Sequence, residues 1–135
     1  MKRIILAVSM ILCILVSGCA QKTSDAASTT DSLGYTVIKA EEAKKMMDAG
    51  DVIIVDVRTD AEYAEKHIPD AINIPVESIN TEKPEQLPDL NKKVLVYCRT
   101  GIRAAAASKK LVAIGYTQVY DMGGIVDWPY DTVAN

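Results

Sequence analysis

The stretch Tyr97-Cys98-Arg99-Thr100-Gly101-Ile102-Arg103 lies between an apolar run and an alanine-rich run of the chain. The apolar run over residues 94–97 predicts a buried strand, and the alanine-rich run over residues 104–114 predicts a helix. Cys98 is therefore expected at the end of a strand, in a short loop that leads into a helix. A cysteine in this position is a candidate nucleophile.

The residues around Cys98 favour the thiolate form of its side chain. Backbone N–H groups of the loop and of the helix N-terminus are expected to point at the sulfur, where the helix dipole favours negative charge. Arg99 and Arg103 flank the cysteine, and nearby cations stabilise a thiolate. Gly101 allows backbone angles that a side chain would forbid, so that the amides can converge on one point. The loop therefore indicates a reactive cysteine.

Short strands and helices alternate along the rest of the chain. Residues 52–55 form a continuous apolar run that ends at Asp56, which is typical of a strand covered on both faces in a parallel sheet. Residues 40–47 have helical spacing of apolar side chains, and residues 118–120 predict one more strand. The pattern predicts an α/β domain with a central, mostly parallel sheet flanked by helices. Ligands bind beyond the carboxyl ends of the strands in such sheets, where Asp56 and Cys98 fall.

The loop Cys98-Arg99-Thr100-Gly101-Ile102-Arg103 resembles the active-site loop of the rhodanese-like sulfurtransferases. Further marks of that family occur in the expected order, and they are Asp56-Val57-Arg58, Glu62-Tyr63, the stretch from His67 to Pro75, Gly123-Gly124-Ile125 and Trp128. The resemblance covers residues 33–135, and it implies a single rhodanese-like domain of the α/β class.

The resemblance implies sulfur transfer by nucleophilic catalysis at Cys98. The thiolate would attack the sulfane sulfur of a small anionic donor, such as thiosulfate or a polysulfide, and keep that sulfur as a persulfide. A thiol acceptor, or cyanide in an assay, would then remove the outer sulfur. The residues expected to bind the donor are Arg99, Thr100, Gly101, Ile102 and Arg103. The sequence contains no pattern typical of a metal site or of a nucleotide-binding loop, so no metal and no cofactor are expected.

Several residues near the loop are expected to support the fold. Arg58 is predicted to brace Asp56 or Glu62, and the resemblance to the rhodanese-like family implies that Asp56 and Arg58 are scaffold beside the pocket. Thr59 and Glu62 have the spacing of a capping box, which would open a short helix. His67 is the only histidine, and we predict a structural role for it in the adjoining turn rather than a role as a base.

Two other functions fit parts of this pattern. A non-catalytic rhodanese-like module would carry persulfide or bind sulfur without turnover. A phosphatase or arsenate reductase would hold a tetrahedral oxyanion in a longer loop between its cysteine and arginine. Only four residues separate Cys98 from Arg103, so the loop favours a single sulfur atom over a phosphate group. A turnover assay with several donors distinguishes an enzyme from a carrier.

The amino-terminal segment has the pattern of an export signal. Lys2 and Arg3 form a positive region, and the apolar core that follows is too short for a transmembrane helix of about 20 residues. The ending Leu15-Val16-Ser17-Gly18-Cys19 resembles a bacterial lipobox, in which lipid is attached to the Cys19 sulfur. An uncleaved anchor or a plain signal peptide is the alternative. Residues 1–18 are thus predicted to be a lipoprotein signal peptide, and residues 19–32, rich in Ser, Thr, Asp and Ala, a flexible tether.

Composition and cysteine count agree with an exported enzyme domain. The 135 residues are 49% hydrophobic and 24% charged, and a formal net charge of −3 without a basic patch argues against nucleic acid as a partner. Cys13 would leave with the signal and Cys19 would carry lipid, so Cys98 would remain as a lone thiol. Exported proteins use cysteines mostly in disulfides, so a lone thiol indicates reactivity. The expected location is the cell envelope, outside the cytoplasm, with the domain anchored to a membrane by the Cys19 lipid.

Overall fold

The computed structural model describes residues 29–30 and 33–135. The predicted signal peptide, the lipidation site Cys19 and most of the predicted tether lie outside the described residues. Among the residues that are described, none of the helices is both long enough and apolar enough to cross a bilayer.

Strands and helices alternate along the described chain. The strands are β1 (Thr29–Thr30), β2 (Thr36–Val37), β3 (Val52–Asp56), β4 (Ile72–Asn73), β5 (Lys93–Cys98) and β6 (Val119–Gly124). The helices are α1 (Ala40–Ala49), α2 (Asp60–Glu65) and α3 (Ile102–Ile114), and short 3-10 turns cover Val76–Ser78 and Ile125–Asp127.

The strands form one sheet in the order β1-β2-β6-β5-β3-β4. The pairs β2–β6, β6–β5, β5–β3 and β3–β4 are parallel, whereas β1 pairs with β2 in the antiparallel direction. The prediction of an α/β domain with a mostly parallel sheet is therefore confirmed. Thr29 and Thr30, which form β1, lie inside the segment 19–32 that the sequence predicts to be a flexible tether. Their pairing uses backbone hydrogen bonds, which do not depend on the apolar side chains that are few in this segment.

Two apolar layers cover the two faces of the sheet. The layer on the α3 face contains Val94, Val96, Cys98, Ala104, Ala107 and Leu111. The layer on the opposite face contains Ala43, Ile54, Ile68, Leu95 and Tyr97. Successive residues of β5 alternate between the layers, because neighbouring side chains of a strand point to opposite faces. β5 is thus buried on both sides, as its apolar sequence predicts, and Cys98 belongs to the α3 layer.

β6 is longer than the strand predicted over residues 118–120. The strand extends through Gly123 to Gly124, and Gly124 pairs with Cys98 of β5 after an irregularity in the register between Val96 and Cys98. Glycine marks places in a strand where another backbone approaches closely. The added residues bring the end of β6 beside the loop that follows Cys98.

Candidate active site

Cys98 is the last residue of β5, and residues 99–101 connect it to α3. The helix begins at Ile102 rather than at the start of the predicted range 104–114, because Gly101 ends the loop as its N-cap in a left-handed conformation. Cys98 is a free thiol and is 1% exposed. The strand–loop–helix arrangement around the cysteine is the one that the sequence predicts.

One backbone amide of the loop points at the sulfur. The Gly101 N–H donates a hydrogen bond to Cys98 Sγ over 3.0 Å. Gly101 has a φ of +105°, which L side chains rarely adopt, so this direction of the amide favours glycine. Helix α3 begins at the next residue, and the N-terminus of a helix favours a nearby anion. The arrangement can stabilise negative charge on the sulfur.

Three of the residues predicted to bind the donor lie at the rim of the loop. Arg99 and Thr100 are exposed, and the Ile102 side chain is 81% exposed. Val126, which is 60% exposed, donates its N–H to the Arg99 carbonyl oxygen over 3.3 Å and so adds a second apolar side chain nearby. The rim therefore combines a cation with apolar groups.

Arg103 binds the carboxylate of Glu62. Its Nη1 donates to Oε2 and its Nη2 donates to Oε1, each over 2.8 Å. The Arg103 guanidinium lowers the pKa of Glu62 to about 2, and Glu62 in turn raises the pKa of Arg103 above its usual range, with a smaller contribution from Cys98. The sequence predicts that Arg103 binds the sulfur donor. In the structure both of its Nη atoms donate to Glu62 instead.

Glu62 also closes a capping box at the start of α2. Thr59 Oγ1 accepts the Glu62 N–H over 3.3 Å, and Glu62 Oε2 accepts the Thr59 N–H over 3.1 Å. The predicted capping box is confirmed. The same carboxylate thus connects the first turn of α2 to Arg103 in the first turn of α3, 41 residues further along the chain.

Asp56 and Arg58 form a buried ion pair. Arg58 Nε donates to both carboxylate oxygens, over 2.9 and 3.0 Å, and Nη2 donates to Oδ2 over 2.6 Å. Nη2 also donates to the Lys66 carbonyl oxygen over 2.5 Å. Asp56 is 0% exposed and Arg58 is 4% exposed, so the pair braces the segment between β3 and α2. Of the two predicted partners of Arg58, the structure selects Asp56.

His67 connects α2 to the carboxyl-terminal segment. Its ring stacks on that of Tyr63 with a centroid distance of 3.9 Å, and Nδ1 lies 2.8 Å from the Tyr63 carbonyl oxygen. Its backbone N–H and C=O pair with those of Val133 over 2.8 and 2.9 Å. These contacts agree with the structural role predicted for His67.

The end of β6 supports the cysteine loop. A Cβ on Gly124 would lie 2.3 Å from the Arg99 carbonyl oxygen, and a Cβ on Gly101 would lie 3.5 Å from Gly123 Cα, so the two backbones are in close contact. Asp121 Oδ1 accepts the Gly123 N–H over 2.9 Å. Asp121 is 6% exposed, and burial raises the pKa of its carboxyl group. The Asp121 carboxyl group therefore holds the turn against which the loop packs.

Comparison with known proteins agrees with this geometry. The family described as Rhodanese-like domain matches residues 39–130. This chain belongs to the rhodanese-like family. A solved structure of rhodanese with anions from E. coli superposes with a TM-score of 0.55 at 33% identity, over 62% of this chain and 99% of that one.

Proteins similar to this rhodanese-like chain include two sulfurtransferases. One from Allochromatium vinosum is 38% identical over 87 residues, which cover 64% of this chain and 79% of the relative. The thiosulfate sulfurtransferase PspE of Escherichia coli is 37% identical over 73 residues, 54% of this chain and 70% of the relative. A tRNA uridine(34) hydroxylase of Photorhabdus laumondii is 32% identical over 120 residues, 85% of this chain but 33% of the relative.

Sequence reasoning missed two features of this rhodanese-like site. The sequence does indicate a special role for Asp121, because this charged residue stands inside the apolar run from Val119 to Met122. The pairing of Glu62 with Arg103 had no local signal, because the two residues are 41 positions apart.

Proposed function

We propose that this domain is a sulfurtransferase that carries a sulfane sulfur as a persulfide on Cys98. The observation that carries the proposal is the Gly101 N–H, which donates to Cys98 Sγ over 3.0 Å at the start of α3. This N–H stabilises negative charge on Sγ in the thiolate that attacks the sulfur donor, and again when the thiolate leaves in the second step. The family and its sulfurtransferase members support the class of reaction.

Sulfur transfer takes place in two steps. The Cys98 thiolate attacks the outer sulfur of thiosulfate, a new S–S bond forms, the S–S bond of the donor breaks, and sulfite leaves with the bonding electron pair. An acceptor thiolate or cyanide then attacks the outer sulfur of the persulfide, and the Cys98 thiolate leaves. Neither step needs a general base when the attacking group is already ionised.

The rim residues suit a small anionic donor. Arg99 is exposed and can attract an anion towards the loop. Arg103 uses two of the five guanidinium N–H groups on Glu62, and the remaining ones can orient a donor oxygen. Because Glu62 neutralises Arg103, the charge of the pocket is small. Thr100 and the apolar Ile102 complete a rim that also suits polysulfide or an organic persulfide.

The mass of the intact chain tests the covalent step. Incubation with thiosulfate is expected to add one sulfur atom to the purified protein, and a thiol reductant should remove it. Cys98→Ser should gain no sulfur, because its hydroxyl group stays protonated near neutral pH. Thiosulfate and cyanide together should yield thiocyanate and sulfite with the wild type but not with Cys98→Ser. The two proteins are compared at equal folded fraction, which circular dichroism measures.

The outcomes separate the alternatives. Added sulfur without turnover, with thiosulfate, polysulfide and glutathione persulfide as donors, would identify a carrier. Wild-type turnover by Cys98→Ser would contradict the persulfide on Cys98. Hydrolysis of phosphate esters without sulfur transfer from any donor would replace the proposal with a phosphatase.

A further inference from the structure

A cleft of about 530 Å³ opens on the face of the sheet opposite to Cys98. Val52 and Ile54 of β3 line it together with Ile68, residues of α1 and the segment 128–131. Ile54 and Ile68 belong to one apolar layer, whereas Cys98 belongs to the other. The sheet therefore separates this cleft from the cysteine site.

Aromatic and sulfur-containing side chains add to the aliphatic part of the lining. The rings of Trp128 and Tyr130 meet edge to face with a centroid distance of 4.9 Å. The Trp128 Nε1–H donates to the Asp131 carbonyl oxygen over 3.2 Å, so the only polar group of the indole is already bonded. Met47 of α1 adds an adaptable apolar side chain. A cleft of this size that combines apolar and aromatic side chains with a few charged groups has the properties of a small-molecule site.

The charges in the lining favour a cation. They belong to one lysine and three aspartates, a net charge of −2. Lys44 pairs with Asp48, so these two charges cancel. Asp70 and Asp131 form no ion pair within the part of the chain that the structure describes. Lys44 Nζ also lies 5.8 Å from the centroid of the Tyr130 ring, so this wall already accommodates an ammonium group.

We propose that the cleft binds a small amphipathic amine, which is an apolar body carrying one ammonium group. The body packs against Ile54 and Trp128, and the ammonium group lies near Asp70 and Asp131. The same two carboxylates repel an anion of equal shape, and a neutral analogue gains no attraction from them. Binding at this site is independent of the sulfur chemistry at Cys98.

The fluorescence of Trp128 tests this site selectively, because Trp128 is the only tryptophan in the chain and it lines the cleft. The full-length protein is titrated with phenylbutylamine, phenylbutanol and phenylbutyrate, which share an apolar body and differ in the charge of the head group. The amine is expected to produce a saturable change, with a Kd at least about threefold lower than that of the alcohol. The carboxylate should bind more weakly than the alcohol.

Charge variants complete the test. A double variant, Asp70→Asn with Asp131→Asn, should bind the amine and the alcohol equally. Asparagine is chosen because it tolerates the left-handed backbone of Asp70 (φ +65°). Asp127→Asn is the matched control, since Asp127 is exposed nearby but does not line the cleft, and it should keep the preference for the amine. Equal affinity for all three probes, no saturable change with any probe, or an amine preference that survives in the double variant would overturn the proposal.

Discussion

At the scale of single residues, Glu62 determines how Arg103 is presented to the cysteine loop. Its carboxylate accepts hydrogen bonds from Nη1 and Nη2 of the Arg103 guanidinium group and from the Thr59 N–H that begins α2. The direction of Arg103 therefore depends on a residue from another helix. Asp121 has a comparable effect, because its carboxyl group holds Gly123 in place beside Gly101.

Glu62→Gln is expected to lower the free energy of unfolding near neutral pH by about 1 kcal/mol, because glutamine can keep the capping box but not the ion pair. The pKa of Glu62 is lowered from 4.5 to about 2, so the ion pair stabilises the fold fully above the first value and loses that contribution as the pH falls towards the second. Urea unfolding should show the difference between wild type and variant shrinking over this window. Glu65→Gln, which is exposed in the same helix, is the control and should show no such change. A constant difference for Glu62→Gln would refute this assignment.

Asp121→Ala is expected to slow sulfur transfer per folded molecule by about threefold, because the turn beside Gly101 loses a hydrogen bond. Asp121→Asn keeps an acceptor oxygen and should retain the rate. Val119→Ala, at a buried position of the same strand, should lower stability without this loss of rate. Thiocyanate production at equal folded fraction measures all three. An equal loss in the Asn and Ala variants would show that Asp121 does not act through this acceptor.

At the scale of elements, the end of β6 and the loop between β5 and α3 fit together because side chains are missing there. Gly123 has a φ of +81°, and nothing lies within 4 Å of the position that a Cβ would occupy. Glycine is therefore favoured here by the backbone conformation and not by a lack of space. Gly124 has an ordinary extended φ of −120°, but its missing Cβ would meet the Arg99 carbonyl oxygen. The two adjacent glycines thus serve different physical needs.

Gly124→Ala is expected to lower the free energy of unfolding by about 2 kcal/mol and to reduce sulfur transfer, because the loop backbone must shift away from the new methyl group. Gly123→Ala is the matched control, and it should cost about 1 kcal/mol through backbone strain alone. Urea unfolding and the thiocyanate assay measure the two effects. Wild-type stability and turnover in Gly124→Ala would mean that the strand and the loop are not in tight contact.

At the scale of the whole molecule, the two proposed sites lie on opposite faces of the sheet. The Cys98 loop combines a helix N-terminus with Arg99, and the ligand that we propose for it is an anionic sulfur compound. The cleft on the other face carries Asp70 and Asp131, and the ligand that we propose for it is a cation. The amino-terminal sequence adds a prediction about where the domain is held.

Cys19→Ala is expected to prevent lipid attachment and to leave an unprocessed precursor, because the stretch from Leu15 to Cys19 resembles a lipobox. Cys13→Ala is the matched control, since it removes a cysteine from the apolar core of the predicted signal and should leave processing intact. Labelling with radioactive palmitate and fractionation of the host cells measure both variants. An unmodified wild-type chain in the soluble cytoplasmic fraction would contradict the lipoprotein prediction.

The sequence by itself determined the features that depend on neighbouring residues. The apolar run before Cys98, the glycine after it and the alanine-rich run predicted strand, loop and helix, and the structure has all three. Thr59 and Glu62 predicted a capping box in the same way, since the two residues lie in one helical turn. Such patterns can be recognised because periodicity and capping involve only a few consecutive residues.

Only the tertiary structure decided which distant groups meet. It selected Glu62 as the partner of Arg103, continued β6 through Gly124, and opened the cleft beside Trp128. Each of these depends on how whole elements pack, because the residues involved are brought together by the sheet and not by their spacing in the chain. Local patterns predict where a strand or helix forms, whereas the contacts between elements depend on register and packing across the domain.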